Sequence, residues 1–272
     1  MSLLSNSELQ HHADAVIHSG YTILRDQVSS EECAIYLGAC ERAVSARIDR
    51  FPPENPVCAA DCLYTWDPRV LQVLEHRNIN SLTKMLLGEY QLFNLSAQVA
   101  LPESQYGTGM TKEDYETSGE FWHRDFDPAP KGERLQYLWH FLCLVDVGPT
   151  NGATWLVPGT NHPDQRTSVR SRGAPTIFPD AVQFEASAGD VVVIDPTMWH
   201  EMGHNYTETP RWILFAGFCG IDKPAQRNHW QIAGRDLCLD MNEQVRALFL
   251  STDGPDDGSN SAPLCLPDGW PQ

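Results

Sequence analysis

No apolar run in this chain approaches the roughly 20 residues that cross a bilayer. Its opening, Met1-Ser2-Leu3-Leu4-Ser5-Asn6, has no basic region followed by an apolar block. Neither a membrane span nor a secretory leader is therefore expected. Positive charge is scarce: 19 Lys and Arg stand against 36 Asp and Glu, a formal net charge of −17. Bulk attraction to nucleic acid or to an anionic membrane surface is excluded on that balance. The eight cysteines (33, 40, 58, 62, 143, 219, 238 and 265) form no dense framework, so reduced thiols in a cytoplasmic protein are expected rather than a disulfide scaffold. Cys58 and Cys62 lie four apart with no second close pair, which argues against a structural zinc site. No internal repeat is visible.

What is present is an ordinary hydrophobic fraction, 42% of 272 residues, enough for a sizeable core. Helical spacing covers residues 7–19, closed by Gly20, and Ser29-Ser30-Glu31-Glu32 opens a second helix to about residue 48. Further helices are predicted over 68–75 and 79–87, ended by Gly88. From Tyr90 the period changes. Strands are predicted over 21–24, 92–99, 136–145, 153–157, 176–178, 182–184, 191–195 and 211–218, with polar loops at 102–120 and 163–175 as lid candidates. Residues 234–250 read as a helix and 251–272 as a loose tail.

Helices followed by about eight short strands predict a mainly β protein with N-terminal helices: a double-stranded β-helix, or jelly roll, flanked by helices. The organisation is one domain over 1–272. It comprises a helical support layer (1–89), the jelly-roll core (90–218), and a C-terminal helix and tail (219–272). The mouth of such a roll is where a ligand sits.

Within the core, His123 and Asp125 lie two apart on an extended segment, so both side chains leave one face. An imidazole and a carboxylate side by side suit a divalent transition metal. A second His-x-Asp, His162-Pro163-Asp164, straddles a proline just after a Pro-Gly turn, where same-face strand geometry is less secure. Taken alone, His123 reads as a hydrogen-bonded core histidine. For a third ligand the choice falls on His200, at a strand end beside Trp199. His204 reads as further into a turn and solvated, His140 as a core histidine facing the helices, and His229 as lacking strand context. Two histidines and a carboxylate with open positions form the facial set of non-haem Fe(II) oxygenases.

Arg211 opens the last strand, with apolar Ile213 and Phe215 on the same face. A cation aimed into an apolar mouth suits a bidentate anion such as a dicarboxylate, although a partly exposed arginine paired with a nearby acid fits equally well. Tyr137, Trp139, Phe141, Ile213 and Phe215 are candidate pocket walls. Arg166, Arg170 and Arg172 read first as a solvated loop.

Three blocks in this order resemble one family. They are Trp122-His123-Arg124-Asp125; Asn151-Gly152-Ala153-Thr154-Trp155-Leu156-Val157-Pro158-Gly159-Thr160-Asn161-His162; and Gly189-Asp190-Val191 with His200, Asn205, Thr207 and Arg211. Together with Ser19-Gly20-Tyr21-Thr22-Ile23-Leu24-Arg25 they span about residues 8–218. They resemble the phytanoyl-CoA dioxygenase-like branch of Fe(II)/2-oxoglutarate-dependent oxygenases. The resemblance implies iron ligation by His123, Asp125 and His200, and Arg211 on the far carboxylate of 2-oxoglutarate at the family's eleven-residue interval from His200. It also implies Phe141 beside that co-substrate, and His162 in a structural turn. Met202 departs from the serine usual two residues after the distal histidine, and Thr207 is the candidate replacement. Asp125 is present where halogenating relatives have Gly or Ala.

The implied reaction takes Fe(II), 2-oxoglutarate and O2, releases succinate and CO2, and oxidises a small-molecule metabolite, with hydroxylation the first expectation. Desaturation, cyclisation or epimerisation with the same cofactors is the alternative. A non-catalytic metal-binding jelly roll or a zinc hydrolase is the alternative of another class. No adenine-sized CoA site is apparent.

Overall fold

Helix formation begins where serine can cap it. Ser5 accepts from the Glu8 amide while the Glu8 carboxylate accepts from the Ser5 amide, starting α1 (Asn6–Ser19). Ser29 and Glu32 repeat this reciprocal box at α2 (Ser30–Ser45), so two orphan amides are satisfied at each start. Gly20, at φ 86°, closes α1 in the left-handed region that glycine favours. Residues 68–75 form a 3₁₀ helix, and α3 (Arg77–Leu87) follows it.

The computed structural model describes residues 3–47, 57–102, 122–163 and 178–249. In it, β1 (Tyr21–Leu24), β2 (Val57–Ala60), β3 (Tyr90–Ala100), β4 (Tyr137–Cys143), β7 (Val191–Ile194) and β9 (Arg211–Gly220) form an antiparallel sheet ordered β1-β7-β4-β9-β3-β2. A smaller sheet, β6-β5-β8, is built from β5 (Trp155–Leu156), β6 (Val182–Gln183) and β8 (His200–Glu201). His123 adds a single antiparallel bridge to His200 at its edge. The two sheets face each other as a jelly roll.

Alternation sorts each strand of the large sheet. Leu138, Leu142, Val191, Val193, Leu214 and Phe218 join the core beneath the helices. Trp139, Phe141, Cys143, Val192, Ile194, Ile213 and Phe215 line the space between the sheets. This is the burial on both faces that continuous apolar strands require. The helical layer closes with α4 (His229–Asp240) and α5 (Glu243–Phe249). Among the described residues no helix is long and apolar enough to cross a membrane.

His140 takes the helix side, as alternation predicts. Its Nε2 lies 3.3 Å from Thr83 Oγ1, and its ring packs on Phe218. Burial pushes the His140 imidazole down to about 3, and that of His229, on α4, down to about 4. Unfolded, both would titrate near the ordinary histidine value, about 6.5. Between that value and the folded ones the unfolded chain holds the extra protons. Stability is therefore lost as pH falls through the window, by up to about 1.4 kcal/mol per pH unit for each group. The urea midpoint at pH 5 should be lower than at pH 7, and His140→Gln should flatten the difference. An unchanged slope in that variant would remove His140 as a cause.

Three segments differ from expectation. β2 was not foreseen, since the Pro-rich run before it reads only as a breaker. The helix expected over 234–250 is two helices: Gly234 adopts φ 74° within the first, and Met241 is extended between them. β3 carries a bulge between Leu92 and Asn94 in its pairing with β9. The loops at 102–120 and 163–175, the strand expected at 176–178 and the tail from 251 lie almost wholly outside the described residues.

Candidate metal centre

His123 and His200 are direct cross-strand neighbours. Each amide donates to the other's carbonyl at 3.0 Å, which places both imidazoles on one face, with ring centroids 4.3 Å apart. The Asp125 amide donates to the Pro196 carbonyl at 3.0 Å and returns the chain toward the same point. Its carboxylate then lies 3.5 Å from His123 Nε2 through Oδ1, and 3.7 Å from His200 Nε2 through Oδ2. One donor atom from each residue falls within 4.8 Å of the others, and among the described residues this is the single cluster of its kind.

The His200 tautomer is fixed locally. Nδ1 lies 2.8 Å from the Met198 carbonyl, which can only accept, so Nδ1 carries the proton and Nε2 presents its lone pair to the cluster. Burial holds this imidazole below its ordinary value, against the pull of Asp125. For Asp125, burial alone would raise the carboxyl. Hydrogen bonding from His123, the neighbouring His200 and the Trp139 indole outweigh burial and bring it down to about 2. A neutral His200 imidazole beside an ionised Asp125 carboxylate presents both groups in the states in which they ligate.

The fit to a metal rests on that donor set. Donors bound at right angles, each about 2.1 Å from an ion, lie about 3 Å apart, so the observed separations need only small side-chain rotations to close. Two imidazoles and one carboxylate match an Fe(II) facial site. Access is one-sided: the side chain of His123 is 50% exposed and that of Asp125 32%, against 9% for His200.

The other predicted residues separate clearly. Arg211 is buried at the start of β9, opposite Ala100, and its Nη2 donates to the Gly152 carbonyl at 2.7 Å. Phe141 faces the space between the sheets, 5.8 Å from Phe215 by ring centroid. Ile213 is directly opposite Cys143 and joins the same cluster. Thr207 is occupied elsewhere. Its hydroxyl donates toward Asn205 Oδ1 at 2.7 Å, and its amide donates to the same oxygen, so an asparagine turn captures the group expected to replace the missing serine.

The rival histidines lie outside the cluster. His204 is buried against Tyr206 rather than solvated. His229 is buried on α4, and its Nδ1 lies 2.8 Å from the Tyr64 hydroxyl. His162 contacts the His18 carbonyl at 3.1 Å. It belongs to a brace in which Asn161 donates to the Val16 and Ile17 carbonyls and the Thr160 hydroxyl accepts from the Trp199 amide.

Two aromatics escaped the sequence reading. Phe126 stacks on Tyr137 with centroids 3.6 Å apart and planes 7° from parallel. Phe93 meets both rings edge-on, at 5.9 and 5.7 Å. Phe126 follows Asp125 directly. Phe93 carries a weak signal: Leu92 and Leu95 both join the helix-side core although an odd number of residues apart, which a strand achieves only with a bulge.

The phytanoyl-CoA dioxygenase (PhyH) family profile matches residues 18–213. Dioxygenase af480 from Aspergillus fumigatus is 35% identical over 142 residues, which covers 50% of this chain and 40% of that protein. The chain thus aligns with under half the length of that relative. Among solved structures, the non-haem alpha-ketoglutarate-dependent epimerase SnoN from nogalamycin biosynthesis superposes with a TM-score of 0.60 at 19% identity, covering 80% of this chain and 85% of that one. HygX from Streptomyces hygroscopicus, with nickel and 2-oxoglutarate bound, gives 0.59 at 15% identity, covering 83% and 90%. At such identities these structures share the jelly-roll fold with this chain.

Proposed function

Because the chain belongs to the phytanoyl-CoA dioxygenase (PhyH) family of Fe(II)/2-oxoglutarate-dependent oxygenases, we propose that His123, Asp125 and His200 hold its Fe(II) and that Arg211 binds its co-substrate. The observation that carries this assignment is the convergence of the three donors, with the His200 lone pair directed by the Met198 carbonyl. Iron, 2-oxoglutarate and O2 together supply the oxidising power, with succinate and CO2 as co-products. The protein's own task is to bind, orient and exclude water.

Arg211 and Phe141 lie toward one end of the inner face of β4 and β9, and Tyr137 toward the other. Trp139, between them, contacts Asp125. We assign 2-oxoglutarate to the Arg211 side, its far carboxylate paired with the guanidinium and its chain beside Phe141. Thr207 is left out of that site. The organic substrate takes the opposite side, where the half-buried rings of Phe93, Phe126 and Tyr137 offer an apolar aromatic surface. A small molecule with a ring or a flat apolar face is the class that such a platform favours. Ile213 and Phe215 are packed within the inter-sheet core, and their place is behind this surface. Among the described residues six cysteines are buried free thiols, which suits a reducing, cytoplasmic setting.

Hydroxylation is the first outcome. The fold shared with SnoN makes epimerisation the second, and the mass of the product separates them: a gain of one oxygen in the first, none in the second. The class is tested by incubating the protein with Fe(II), 2-oxoglutarate and O2 and measuring succinate. Succinate should form and increase with ring-bearing substrates. None above background across such a panel would overturn the assignment and favour the zinc-hydrolase or non-catalytic alternatives.

A further inference from the structure

One side chain next to the metal centre is built in from every side. Trp139 is 4% exposed. Its Nε1 donates to Asp125 Oδ2 at 2.7 Å, the short distance of a charge-assisted bond. Across the sheet its partner on β9 is Gly217 and its partner on β7 is Ile194. A Cβ placed at Gly217 would lie 2.9 Å from Trp139 Cζ3 and 3.1 Å from Cε3. The benzo edge of the indole thus rests on bare backbone, and the opposite edge, carrying Nε1, projects to the carboxylate. Phe93 and Phe215 close over the ring at centroid distances of 5.0 and 5.2 Å.

We infer that Trp139 is a positioning residue for the metal centre, not a substrate-contacting wall, and that Gly217 is the seat that lets its indole reach Asp125. An Asp carboxylate turns freely about its last bond unless something fixes it. Here Oδ1 faces His123 and Oδ2 is held by the indole, which removes that rotation before an ion arrives. A partner that orients a ligand in this way typically changes metal affinity about 10- to 100-fold when removed. The inference rests on the metal reading above.

The test uses Co(II), titrated into the whole 272-residue chain without oxygen and followed by its visible ligand-field bands. Trp139→Phe keeps a ring in the seat and deletes the N–H; Co(II) affinity should fall by about 10- to 100-fold with altered bands. Ile194→Ala removes packing beside the same ring but leaves the N–H. It should lower the melting temperature while keeping affinity within about threefold, well short of the loss an orienting partner causes. Gly217→Ala pushes the indole from its seat and should resemble Trp139→Phe; it carries the test if the latter does not fold. Wild-type affinity in Trp139→Phe, or equal losses in Trp139→Phe and Ile194→Ala, would overturn the inference. Absence of Co(II) binding by the unaltered protein would instead overturn the metal reading itself.

Discussion

Replacing His200 with alanine should abolish iron binding at concentrations that saturate the unaltered protein. The imidazole is one of three donors, and its Nε2 lone pair is aimed by the Met198 carbonyl. Loss of a direct ligand should exceed the roughly 100-fold that loss of an orienting partner costs. His204→Ala, four residues on and outside the donor cluster, is the matched control and should bind iron normally. Succinate formation should vanish with the metal in the first variant and persist in the second. Unchanged iron affinity in His200→Ala would show that the third ligand lies elsewhere.

Arg211→Ala should leave iron bound and raise the 2-oxoglutarate concentration needed for half-maximal succinate formation. Removing one partner of a buried, charge-assisted pair costs about 3 kcal/mol, or roughly 100-fold in affinity. Arg211→Lys keeps the charge but loses the planar fork, so an intermediate loss is expected. The guanidinium also donates to the Gly152 carbonyl, so both variants should melt earlier. For that reason the decisive readout is the ratio of 2-oxoglutarate requirement to iron affinity, since general loosening would move both. A 2-oxoglutarate requirement unchanged in Arg211→Ala would remove Arg211 from the co-substrate site.

Much of this arrangement is legible from side-chain periodicity. A repeat of two places His123 and Asp125 together, and it turns His140 toward the helices while Trp139 and Phe141 face the opposite sheet. Interactions that depend on how distant segments meet are not legible in this way. Trp139 reads as a pocket wall, and nothing local reveals that its indole also bonds Asp125, fourteen positions earlier. Phe93 is missed because a bulge breaks the alternation that would have placed it. Thr207 reads as an available hydroxyl because sequence spacing does not show that Asn205 has already taken it. Gly234 is the converse: its residue type is the signal, and the surrounding helical pattern conceals the kink.

The bulge at Phe93 is held from outside the matched span. Its carbonyl accepts from the Gln226 amide at 3.2 Å and lies 3.0 Å from His229 Nε2. The Tyr64 hydroxyl meets the other nitrogen of that imidazole, so the ring donates through Nε2 to Phe93 and accepts through Nδ1. Residues 226 and 229 lie beyond the family match, which ends at 213, yet they clamp the backbone beneath one of the three rings assigned to the substrate. The backbone under Phe93 is therefore tied to the chain beyond the shared span, so the proposed substrate surface rests in part on hydrogen bonds from the C-terminal region. On the proposed assignment, a substitution at His229 should change which molecules fit while leaving every residue at the metal in place.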